Sequence, residues 1–155
     1  MRKLMTCIVL AALFGATVPA LASAEPSTFA TARKGTLDVT SSIFVTSKAV
    51  SQYGGWTDDS KSCTAFRALR VTTEIFRTRP DGTGQHRIKT VRRAMMNCAE
   101  GGPNLGFDRT AASVGLACPD GRWKPGRYDF VTRTKHLASG LIALGTLSWI
   151  RGGSC

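Results

Sequence analysis

The stretch from Cys63 to Cys98, CTAFRALRVTTEIFRTRPDGTGQHRIKTVRRAMMNC, decides the fold. Ala65, Leu69, Val71 and Ile75 share one parity, alternating with polar or charged positions. Arg79-Pro80-Asp81-Gly82-Thr83-Gly84 then supplies a turn, because proline presets φ and glycine accepts positive φ. His86 to Met96 returns with Ile88, Ala94 and Met96 on one parity. A period of two on both sides of such a turn predicts a long β-hairpin. Facing residues of an antiparallel pair have a constant sum of residue numbers. Cys63 facing Cys98 gives 161 and sets Thr78 opposite Thr83. A sum of 163 keeps every side chain on the same face. Either register brings the two cysteines together at the open end, so a Cys63–Cys98 disulfide is expected.

The same period continues on both sides of the hairpin. Leu37, Val39, Ile43 and Val45 predict an earlier strand, interrupted only by Ser41. Residues 25–35 are polar and read as a loose leader. Ala49 to Ser62, with Gly54-Gly55 and Asp58-Asp59, reads as a loop, as does the glycine-rich run from Gly101 to Asp108. Ala112, Val114, Leu116 and Cys118 alternate as a strand, and Pro119-Asp120-Gly121 turns the chain. Arg127 to Lys135 and Leu141 to Arg151 form a second hairpin, with Tyr128, Phe130 and Thr132 on one face. Tyr128 opposite Leu147 gives a sum of 275, and Cys118 with Cys155 gives 273, of equal parity. A Cys118–Cys155 disulfide follows, although four cysteines permit three connectivities.

Met1 to Ala24 has the form of a secretory signal peptide. Arg2 and Lys3 precede an apolar run from Leu4 to Val18, and Ala22-Ser23-Ala24 offers small residues before Glu25. Removing these 24 of 155 residues leaves 131 and takes away Cys7. It also lowers the basic count from 21 to 19 against 10 acids, so the net charge falls from +11 to +9. The remaining cysteines are spaced by 35, 20 and 37 residues, without the close pairs of a zinc site. In an exported chain two disulfides are the reading that follows. With 43% apolar and 20% charged residues, the chain is neither a disordered tail nor a membrane bundle. One domain is expected over 36–155.

Trp123-Lys124-Pro125-Gly126-Arg127-Tyr128-Asp129-Phe130 resembles the approach to the penultimate strand of bacterial immunoglobulin-like and fibronectin-like domains. The resemblance implies an all-β, antiparallel β-sandwich of six to seven strands. It also implies a tyrosine corner, with the Tyr128 hydroxyl bonded to upstream backbone. The whole is similar to small cationic exported proteins of high-GC Gram-positive bacteria.

No catalytic frame stands out. His86 and His136 read as surface histidines, and no Gly-x-Ser-x-Gly is present. Asp58-Asp59, Glu100 and Asp108 lack calcium-loop spacing and read as turn residues. Trp56 and Trp123 read as packing residues in loops. No cofactor or metal is expected. Charge is the one constellation left. The parity opposite Leu69, Val71 and Ile75 carries Arg70, Glu74, Arg87, Lys89 and Arg93, with Glu74 expected to pair with Arg87 or Lys89. Arg77, Arg79 and Arg92 extend the charge. Arg70, Arg87, Lys89 and Arg93 are therefore the candidate anion-binding residues. The expected function is a secreted, non-enzymatic β-domain binding an anionic polymer, cell wall or membrane surface, with no intracellular nucleic-acid role. The competing reading is a small hydrolase, or a protease inhibitor presenting Cys118-Pro119-Asp120-Gly121-Arg122.

Overall fold

The computed structural model describes residues 26–58, 67–96 and 105–155; at positions 67, 68 and 93–96 only the backbone is described. Residues 1–24, expected as a signal segment, lie outside these residues, as do Cys63 and Cys98 and with them the Cys63–Cys98 expectation. Among the described residues there are eight strands, one or two more than the sequence predicts. They are β1 (Ser27–Lys34), β2 (Leu37–Val45), β3 (Ala49–Asp58), β4 (Arg67–Thr78), β5 (Gln85–Met96), β6 (Leu105–Thr110), β7 (Gly126–His136) and β8 (Ile142–Arg151). They form two antiparallel four-stranded sheets, ordered β1-β2-β3-β6 and β5-β4-β7-β8, stacked as a sandwich.

The first hairpin adopts the second of its two expected registers. Every pair from Arg67↔Met96 to Thr78↔Gln85 sums to 163. The second hairpin sums to 277, two residues from expectation, so each side chain keeps its face. Tyr128 consequently faces Trp149, ring centroids 5.8 Å apart, in place of Leu147. The Cys118–Cys155 disulfide forms, with Cα atoms 5.2 Å apart. Cys118 reaches it from a turn closed by Cys118 N donating to Arg122 O at 2.7 Å.

Four segments depart from the sequence reading. The expected leader contains β1, which pairs with β2 along its whole length. Its inward residues are small; Thr28 and Ala30 lie beside Gly145 of β8, so no large apolar alternation announces them. Ala49 to Asp58 is strand, not loop. A Cβ on Gly54 would come within 2.5 Å of Thr134 Oγ1 and 2.6 Å of Val71 Cγ2. Glycine here gives clearance between sheets and does not mark a turn. β6 replaces part of the expected glycine-rich loop for a related reason, since a Cβ on Gly106 would meet the Tyr53 ring at 2.6 Å. Ala112 to Cys118, expected as a strand, holds a 3-10 turn at Ala112–Val114. Val114, Leu116 and Cys118 are buried as the alternation implies, but only Ala117 finds a bridge partner, Trp123.

The core has two apolar clusters. The larger gathers Ile43, Val45, Val50, Ile75, Trp123, Tyr128 and Phe130 with Ala111, Val114 and Leu116 in and around the 3-10 turn. The smaller holds Leu37, Val39, Trp56, Leu69 and Ala143. Both tryptophans are therefore core residues, Trp56 on a strand. Buried polar groups lie on the facing sheets as well. Ser41 Oγ and Thr132 Oγ1 are hydrogen-bonded at 2.9 Å, and Gln52 Nε2 donates to Thr132 Oγ1 and to Thr72 O. Ser41, which interrupts the apolar pattern of β2, is thus part of a polar seam between the sheets.

Candidate anion-binding face

The outer face of the β5-β4-β7-β8 sheet is built from rungs that the register fixes. On one rung Arg70 of β4 stands between Arg93 of β5 and Lys135 of β7. On the next, Thr72 is flanked by Arg133; beyond it, Glu74 is flanked by Lys89, and Phe76 by Arg87. Arg93 is placed by its backbone; its side chain lies outside the described residues. Arg70, Glu74, Lys89, Arg133 and Lys135 line a shallow cleft of about 370 Å³.

Three of the four candidate cations, Arg70, Arg87 and Lys89, thus stand on one surface. Sequence reasoning missed Arg133 and Lys135. Their signal was the parity of β7: with Tyr128, Phe130 and Thr132 inward, both must point outward. What no local pattern supplied was the pairing of β7 with β4.

Glu74 is 6% exposed and is gripped from both sides, accepting from Arg87 Nη2 on β5 and Arg133 Nη1 on β7. The Arg87 guanidinium also lies 5.6 Å from the Phe76 ring centroid. Hydrogen bonds from Arg87 and then Arg133 hold the Glu74 carboxyl below the usual carboxylate range, against a desolvation that raises it. Asp129 is engaged by Arg127 at 3.3 Å and by Ser148 Oγ at 2.6 Å. Among the described residues, Arg70, Lys89 and Lys135 form no ion pair with a carboxylate. Arg70 Nε is shut from solvent without a hydrogen bond.

Glu74 sets a testable sign. Its folded-state pKa is lowered, so its contribution to stability is complete above the ordinary glutamate range. That contribution disappears as pH falls through the lowered value. Glu74→Gln is expected to unfold at lower denaturant than the parent at about pH 7, with the gap closing as pH falls through the lowered Glu74 value. The same substitution adds one uncompensated positive charge to the face, so polyanion affinity should rise. A gap that widens on acidification would contradict this account of Glu74.

The remaining candidates separate from this face. His136 is fully buried, not on the surface; its Nδ1 lies 2.8 Å from Ser139 Oγ and its ring packs near Trp56. Arg122, the side chain an inhibitor loop would present, is turned back onto Asp120 in an ion pair. Among the described residues no three His, Cys, Asp or Glu side chains gather as metal ligands would. No protein-family model matches this chain, and no curated protein is significantly similar to it in sequence.

Proposed function

We propose that this chain is an exported, non-enzymatic β-sandwich domain of the immunoglobulin-like kind that holds an anionic envelope polymer against the outer face of β5-β4-β7-β8. The pairing of Arg70 with Lys135 across the β4–β7 ladder carries this reading. Like charges set directly opposite one another destabilise a sheet, and a polyanion laid across the rung relieves that cost. Export is supported by the Cys118–Cys155 bridge, which suits an oxidising compartment. The immunoglobulin-like kinship is supported by β7 lying between β4 and β8, and by the Tyr128 hydroxyl donating to Lys124 O at 2.6 Å.

The test is binding to a soluble polyanion, long-chain polyphosphate, across a range of salt. Affinity should fall as salt rises, because the attraction is between exposed charges. Replacing Arg70, Lys89 and Lys135 together by glutamate should weaken binding by about a hundredfold or more, through three lost charge-assisted contacts. Binding that ignores salt, or is as tight in the triple variant as in the parent, would sink the proposal.

A further inference from the structure

A second concentration of charge lies at one pole of the sandwich, where β4 ends, β5 begins and the chain approaches β7. Arg77 sits on the parity of Leu69, Val71 and Ile75, one position beyond the last apolar residue of that row. A guanidinium in core register must find acceptors or solvent. One acceptor is Pro125 O, 2.6 Å from Nη2. Its Nε is shut from solvent with no hydrogen bond. Across the ladder from Arg77 stands His86. Arg79 follows in the turn, its guanidinium over Gly84.

Lys124 completes the cluster from a third segment. Its backbone is clamped twice: its N–H donates to Leu116 O at 2.8 Å, and its carbonyl accepts from the Tyr128 hydroxyl at 2.6 Å. Burial pushes the Tyr128 phenol up, so it keeps the proton it donates. The tyrosine corner therefore positions a lysine. Arg77, Arg79, His86 and Lys124 line a cavity of about 260 Å³ together with Gly84, Gln85, Gly115 and Leu116, and none of the lining residues is acidic. The nearby Asp81 accepts through Oδ1 from Thr83 N at 2.8 Å and Thr83 Oγ1 at 2.7 Å, and its charge is also felt by Arg79.

We infer that this polar cavity is a discrete site for a tetrahedral oxyanion, a phosphate or sulfate group, gripped by Arg77, Arg79 and Lys124. Arg77 and Arg79 come from the end of β4 and its turn, and Lys124 from a distant segment held by its own backbone hydrogen bonds, which favours one compact multivalent anion over a diffuse ion cloud. It is separate from the sheet face, and stands or falls without it.

The experiment is a titration of the folded, oxidised protein with inorganic phosphate, and separately with sulfate, at constant ionic strength, followed by amide NMR. Saturable shifts confined to Gly84, His86, Gly115 and Lys124 are expected. R79Q/K124Q removes one exposed and one half-buried cation without touching the core or the Lys124 carbonyl, and should raise the dissociation constant by about tenfold or more. R70E/K89E/K135E should leave phosphate binding within about twofold of the parent, since those charges lie on the other site. Shifts that never saturate, or equal weakening by both sets of substitutions, would overturn the assignment. A second arm identifies the source of the group, using the reversed-face variant. Polyphosphate binding more tightly than orthophosphate there assigns the pocket to a polymer's end group, and equal affinity assigns it to the free ion.

Discussion

Trp123→Ala is expected to lower stability by about 3–5 kcal/mol, as large-to-small changes at fully buried aromatics do. Trp123 is fully buried and meets Tyr128 at 5.3 Å and Phe130 at 6.0 Å between ring centroids, both edge-on. Its indole N–H also donates to Thr46 O at 3.1 Å, tying the β7 approach to the β2–β3 connection. Truncation removes the transfer free energy of the ring, opens a cavity and strands a carbonyl. Against a total of about 5–15 kcal/mol for a domain, the loss is a large fraction. Trp123→Phe keeps most of the volume and should fall between the two. Denaturant unfolding of the oxidised protein measures both, and a loss below about 1 kcal/mol for alanine would place Trp123 outside the core's energetics.

The second large effect belongs to the Cys118–Cys155 bridge. Replacing both cysteines by serine is expected to lower stability by about 3–4 kcal/mol, the chain-entropy value for a loop of this length. The bridge spans 37 residues and encloses the whole second hairpin. Its loss also frees the last residues, beyond Arg151, where no strand pairing holds them. The comparison is of unfolding midpoints for parent and double-serine protein without reductant. Coincident midpoints would mean that the unfolded chain gains nothing when the loop opens.

What the sequence made legible was periodicity, and what it hid was clearance. Leu37 to Val45, the Cys63–Cys98 hairpin and Arg127 to Arg151 each announce themselves because large apolar side chains alternate with polar ones. β1 did not, because Thr28, Ala30 and Ala32 are small. β3 and β6 did not, because Gly54 and Gly106 look like punctuation, although here they admit Thr134 and the Tyr53 ring. Ala112 to Cys118 erred in the opposite direction: its alternation reports burial correctly, yet a strand also needs a partner. The basic face was half legible. Arg70, Arg87 and Lys89 follow from one hairpin, whereas Arg133 and Lys135 join only through a pairing some 60 residues distant in the chain. Such non-local pairing leaves no mark within any window of sequence.

The polar seam across the middle of the sandwich also bears on how the two sheets align. Apolar surfaces tolerate a slide of one sheet over the other, but hydrogen bonds demand a particular distance and direction. A displacement by one two-residue step, roughly 7 Å, would separate Ser41 and Gln52 from Thr132. Each buried polar atom left alone would cost about 1–3 kcal/mol. The three side chains therefore act as an alignment key. They select one stacking among several of similar apolar content, and so fix the distance from the cationic rungs on one sheet's outer face to the connections at the sandwich's end.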